Sequence, residues 1–103
     1  MVILATPLYY WNMSGQIRTA IDRLFAVEEG GGNLLRGHDR SSALLMAAEG
    51  NGFDDVLLYY DHLMEQLKWK NLGHVLAGGN GDVGDIEGKP ELKEAYELGR
   101  AIN

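Results

Sequence analysis

The sequence has no cysteine among its 103 residues. That absence excludes disulfides, thiolate zinc sites, thiolate-bound iron–sulfur clusters and a cysteine nucleophile. Proline is scarce, with two residues, so regular elements are interrupted at few places. Positive charge is also in short supply, nine Lys and Arg against 15 Asp and Glu, for a formal charge of -6. A binder of phosphate backbones normally shows a basic face, so no nucleic-acid polymer is expected as a partner. No apolar run approaches the ~20 residues that cross a bilayer, which sets membranes aside. The first residues, Met1 to Pro7, lack the charged n-region and cleavage site of a secretory signal, and the expected location is cytoplasmic.

What remains is the composition of a globular domain, 46% hydrophobic and 23% charged, with a length that suits one domain over 1–103. Val2-Ile3-Leu4-Ala5 is apolar on both faces, the pattern of a strand covered on both sides in a parallel sheet. It stops at Thr6-Pro7 because proline donates nothing to a ladder. An aromatic loop follows, and then a helix capped by Asn12 or Ser14. Ile17, Ala20, Ile21, Leu24 and Phe25 give that helix one apolar stripe to bury. Glu28 to Asn33 ends it and opens a loop, expected to be flexible, as far as Arg40.

Ser42 to Ala47 is a second apolar strand. A turn at Glu49-Gly50-Asn51-Gly52 leads into a helix whose first turn carries Asp54 and Asp55, favourable to the helix dipole. Phe53, Val56, Leu57, Tyr60, Leu63, Met64 and Leu67 share one face of it, and Lys68 and Lys70 close it. A third strand lies near His74-Val75-Leu76-Ala77. Pro90 is placed as the first residue of a last helix, with Leu92, Ala95, Tyr96, Gly99 and Ile102 as its stripe.

The order β-α-β-α-β-α implies a parallel sheet with right-handed crossovers. With strands side by side in sequence order, both crossover helices fall on one face and only the last helix covers the other. Val2–Ala5 then reads as an interior strand placed at an edge, where bare apolar pairing surface is a liability. The unit is therefore expected to be partial. Either a longer chain or a second copy completes it, and a homo-oligomer is expected.

Ala5-Thr6-Pro7-Leu8-Tyr9-Tyr10-Trp11, with Met13-Ser14-Gly15-Gln16 and Ala20-Ile21-Asp22-Arg23, resembles the NAD(P)H-dependent FMN reductases and related flavodoxin-like flavoproteins. The likeness continues through the Ala47–Gly52 turn, Gly79–Asp85 and Ala95–Arg100. In that family the strand order is 2-1-3-4-5, and ligands sit beyond the carboxyl ends of strands where the order reverses. This chain resembles strands three to five of such a flavodoxin-like α/β three-layer fold. The first β-α-β portion, with its phosphate-binding loop, has no counterpart.

The resemblance implies FMN as cofactor and a nicotinamide nucleotide, NAD(P)H, as hydride source. It implies that Thr6, Pro7, Leu8, Tyr9, Tyr10, Trp11, Asn12 and Met13 form one wall of the flavin pocket. Glu49, Gly50, Asn51 and Gly52 form the other. No catalytic side chain is expected, because the flavin carries the chemistry and the protein orients it. Two alternatives are an electron-carrier flavoprotein and a flavin-free remnant serving as an assembly or binding module.

Other features have plainer readings. Tyr9-Tyr10-Trp11 alone suits a plug at the end of the sheet or a contact between chains. Gly79-Asn80-Gly81-Asp82-Val83-Gly84 spells G-x-G-x-x-G, but no helix opens on its last glycine and no further strand follows. It is read as a flexible loop. Asp82, Asp85 and Glu87 lack EF-hand spacing. His38, His62 and His74 lack ligand spacing, so no metal site is expected. Ser14 and Ser42 have no partnered base, and Arg36 to Arg40 reads as a solvated loop.

Overall fold

A computed structural model describes residues 1–30, 34–37 and 39–102. The Gly31-Gly32-Asn33 part of the first long loop, and His38, lie outside the described residues. Strands β1 (Val2–Pro7), β2 (Ser41–Ala47) and β3 (Lys70–Ala77) alternate with helices α1 (Gly15–Glu29), α2 (Asp54–Leu67) and α3 (Pro90–Ile102). The sheet is parallel throughout, in the order β1-β2-β3. Right-handed crossovers running in one direction place α1 and α2 on the same face. No helix among the described residues is long and apolar enough to cross a membrane.

Alternation along the strands assigns the two faces. Leu44 and Met46 pack with Met13 and with Phe53, Val56, Tyr60 and Met64 to form the main core, and Leu4, Ile17 and Ile21 pad its margin. Odd-numbered strand residues point to the opposite side, where α3 is the one helix among the described residues. Gly73 of β3 sits under Leu98 there, 3.9 Å from where a Cβ would be.

Three elements differ from the sequence reading. β3 starts at Lys70, not near His74, because a bulge interrupts its pattern: Ser42 pairs with Asn71 but Leu44 pairs with His74. Gly73 takes φ 112° at that bulge, and its N–H donates to Asn71 Oδ1 at 2.9 Å. Lys70 thus belongs to a strand, and α2 ends at Leu67 with Lys68 left-handed at φ 54°. Of the expected α1 stripe, Ile17, Ile21 and Leu24 are half-buried while Ala20 and Phe25 are exposed, since the edge strand β1 offers the helix narrow support. On α3 it is Leu98, with Ala95 and Ile102, that turns inward, whereas Leu92 and Tyr96 are exposed.

The described part of the first long loop is pinned. Arg40 donates to Leu35 O at 2.6 Å, Trp69 Nε1 donates to the same oxygen at 2.9 Å, and Arg36 pairs with Glu28. Arg36 and Arg40 are thereby internal ties.

Tyr60 and Ser42 are both fully buried; among the described residues neither hydroxyl makes a well-formed hydrogen bond, and the Ser42 hydroxyl beside Tyr60 offsets its burial only in part. Burial pushes the Tyr60 phenol above its ordinary value, and burial does the same to Tyr59. The unfolded chain releases these protons from about pH 10 while the folded chain retains them, so stability falls as pH rises through that range. Tyr60→Phe removes a poorly paired buried hydroxyl. In urea titrations it should leave stability unchanged or raised at pH 7 and flatten the loss above pH ~10, with Tyr59 sustaining the remainder.

Candidate functional site

Three loops leave the carboxyl ends of the strands and meet on one rim. The first is closed at its base by Thr6. The buried Thr6 hydroxyl donates to Pro7 O at 2.9 Å and accepts from Ser14 N at 3.0 Å, joining the end of β1 to the start of α1. Ser14, not Asn12, caps α1 by accepting from Ile17 N. Asn12 instead holds Met13 N through Oδ1 at 2.8 Å. Met13 is buried and Leu8 half-buried against the core, so both ends of the loop are anchored from beneath.

Between those anchors the chain makes a two-residue hairpin. Tyr9 N donates to Asn12 O at 2.9 Å and Asn12 N to Tyr9 O at 3.1 Å. Tyr10 and Trp11, the central pair, have φ 47° and 63°. Such a turn ordinarily takes Asn-Gly or Gly-Gly, because side chains crowd the backbone at positive φ. Bulky residues there cost on the order of 1–3 kcal/mol each. Tyr10 is nevertheless 92% exposed and Trp11 60%. Local strain thus presents two aromatic rings to solvent, their centroids 6.3 Å apart, without core burial in return.

Trp11 reaches the second loop. A Cβ on Gly52 would lie 3.2 Å from Trp11 Cδ1 and 3.3 Å from Nε1, so the indole rests against the glycine backbone. Glu49, Gly50, Asn51 and Gly52 are exposed. Asn51 folds over the third loop: a Cβ on Gly78 would fall 1.8 Å from Asn51 Oδ1, a clash that only glycine avoids. Ala48 N donates to Ala77 O, Gly79 N to Glu49 O and Asn80 N to Ala48 O, each at 2.9 Å, which carries the β2–β3 ladder past the strand ends.

The third loop is built rather than loose, contrary to the sequence reading. Asp85 Oδ2 accepts from Gly81 N and Asp82 N at 3.0 and 2.9 Å. Lys89 Nζ donates to Gly78 O, Gly79 O and Asn80 Oδ1. Sequence reasoning missed Asn80, Asp85 and Lys89. The spelling Asp-x-x-Asp beside glycines was the signal for the first tie, but the lysine acts ten residues away.

Of the residues singled out from the sequence, Tyr9, Tyr10, Trp11 and Glu49 to Gly52 stand on the open rim. Thr6 and Met13 support them from below, Leu8 and Asn12 are half-buried, and Pro7 faces the α3 side. Among the described residues, no protein acceptor meets the N–H groups of Tyr10, Trp11, Gly50, Asn51 or Gly52. The rim therefore offers flat apolar surfaces beside unclaimed backbone donors, a combination suited to a planar ring edged with acceptors. The second loop carries Glu49 and runs into Asp54 and Asp55 of α2, and the third carries Asp82, Asp85 and Glu87, so the charges these segments add are mostly negative.

The fold is flavodoxin-like α/β. Its likeness to the Trp repressor binding protein from Bacillus subtilis has a TM-score of 0.62 at 19% identity, covering 96% of this chain and 60% of that one. In sequence the chain is similar to an iron–sulfur flavoprotein of Archaeoglobus fulgidus, 32% identical over 103 residues. It spans 98% of itself in that match but 44% of the relative. No protein-family model matches the chain.

Replacing the strained pair with the residues the turn prefers, Tyr10→Asn with Trp11→Gly, should raise the unfolding free energy by about 1–2 kcal/mol in denaturant titration. Gly78→Ala should lower it by about 2 kcal/mol or more, because the displaced neighbour is Asn51 together with the Gly50 carbonyl.

Proposed function

We propose that the chain is the ring-binding portion of a flavin-dependent oxidoreductase, with FMN as the flavin and NAD(P)H as the hydride source. The observation that carries this reading is the left-handed Tyr10–Trp11 pair, held open over Gly52 at the carboxyl rim of a parallel sheet. A bound flavin would take up a hydride equivalent from reduced nicotinamide and pass electrons onward. The chain's own residues bind and orient. Trp11 and Tyr10 supply surfaces for stacking, and the amides of Gly50 to Gly52 can donate to ring acceptors. Thr6 and Asn12 keep the hairpin in place.

The relative's name joins flavin to an iron–sulfur centre. With no cysteine in these 103 residues, only the flavin half carries over to this proposal. The rim also fits the ring better than its phosphate. Lys89, which reaches back over the glycine loop, spends its donors on three oxygens, and the remaining charged residues of these loops are acidic. The electron-carrier reading draws on the same acidic rim, which would attract a cationic protein partner.

Titration of the chain with flavin, followed by fluorescence quenching, should show riboflavin and FMN binding comparably. Trp11→Ala should weaken both about tenfold with thermal stability kept or raised. Anaerobic NADPH should then bleach the bound flavin. Bleaching by dithionite but not by NADPH or NADH selects the carrier, and protein that refuses both flavins is the flavin-free module, contrary to this reading.

A further inference from the structure

Lys89 is fixed at its backbone, where α3 starts. Its N–H donates to Ile86 O at 3.1 Å and its carbonyl accepts from Leu92 N at 3.3 Å, while Pro90 restricts the residue before it. From that base Nζ reaches back across the third loop to Gly78 O at 3.2 Å, Gly79 O at 2.7 Å and Asn80 Oδ1 at 3.1 Å. An ammonium group has three donors and no acceptor, so all three donors are met. The acceptors are neutral oxygens, and among the described residues no ion pair includes Lys89. The group is thus held as a bound monovalent cation is held, by carbonyl dipoles and not by an opposite charge.

Two peptide units carry that charge to the second loop. The unit joining Gly78 to Gly79 sets its C=O on Lys89 and its N–H on Glu49 O. The unit joining Gly79 to Asn80 sets its C=O on Lys89 and its N–H on Ala48 O. A cation on a carbonyl polarises the amide and strengthens the bond that its N–H donates. The Asn80 side chain repeats the pattern, accepting from Lys89 at Oδ1 while Nδ2 donates to Ala77 O at 2.8 Å and Gly78 O at 3.0 Å. The Cα of Gly78 faces the second loop as well, since a Cβ there would meet Asn51 Oδ1 at 1.8 Å and Gly50 O at 2.7 Å. The third loop is therefore a plate between one cation and the 49–52 turn.

We infer that Lys89 is a positioning residue for that turn: its charge, passed through the two peptide units, fixes where the Gly50, Asn51 and Gly52 amides point. The role rests on the proposed flavin site for its ligand, and supporting contacts of this kind decide how precisely a binding site is held.

The first test needs no flavin, so its failure and the failure of the functional proposal are distinguishable. Because the chain has no cysteine, Lys89→Cys introduces a unique thiol. Alkylation with 2-bromoethylamine returns an ammonium group on a side chain of lysine length, and alkylation with 2-bromoethanol gives a neutral hydroxyl of the same length. In hydrogen exchange, the Gly79 and Asn80 amides of unalkylated Lys89→Cys should exchange about tenfold faster than in the native chain. Aminoethylation should bring them back to within about twofold, and hydroxyethylation should not. Riboflavin affinity should follow the same order, falling about fivefold and returning only with the ammonium. Lys93→Cys, one turn further along α3 and exposed, should leave both readouts unchanged. The inference is overturned if the two amides keep native exchange in Lys89→Cys, if the neutral adduct restores them as well as the charged one, or if exchange responds and riboflavin affinity does not. A chain that binds no riboflavin in any form removes the proposed function, while exchange still decides whether the charge of Lys89 holds the turn.

Discussion

Parallel pairing of β1, β2 and β3 in sequence order leaves each connection little choice. A right-handed crossover that moves from β1 to β2, and again from β2 to β3, must carry its helix over the same side of the sheet. Main-core packing follows, with Leu44 and Met46 meeting α2 on that side. All three loops that leave the strand ends emerge on one rim, because the strands point the same way. On the opposite side α3 is the one helix among the described residues, so the open floor there follows from the same directional constraint.

The rim is where local preference and final structure disagree. Tyr10 and Trp11 occupy backbone positions that favour glycine or asparagine, and they do so without being buried. Their conformation is imposed by neighbours: the Thr6 hydroxyl, the Tyr9–Asn12 pair and the buried Met13. Strain that the surroundings enforce, and that contributes nothing to core packing, is a mark of functional geometry. The likeness to a flavoprotein gives that geometry a candidate ligand class, with the chain spanning under half of the relative's length.

Much of the fold was legible because periodicity speaks directly about burial. The apolar runs Val2–Ala5 and Ser42–Ala47, and the stripes of the helices, give the alternation of elements and hence the parallel sheet. Periodicity fails where a side chain bonds to distant backbone. The bulge at Gly73 hid the first half of β3, and the lysine that ties down Gly78 and Gly79 is ten or more residues away. The stripe of α3 was legible as apolar but not as two stripes, since Leu98 facing Gly73 is a tertiary fact. At the site, the aromatic run and the glycine turn were visible as residues. Their meeting through Trp11 and Gly52 was not, because nothing in a sequence says that two aromatics will accept positive φ.

In the proposed flavin site, the hairpin at Tyr10–Trp11 and the turn at Gly50–Gly52 together hold the ring. Amide chemical shifts of the isotopically labelled chain, recorded as riboflavin is added, address it most directly. The largest shifts should fall on Tyr10, Trp11, Gly50, Asn51 and Gly52 and on the Trp11 indole N–H, with the strand interiors unmoved. Shifts centred on Ala5, Leu45 and Ala95 on the sheet face beside α3, or none at saturating flavin, would contradict it.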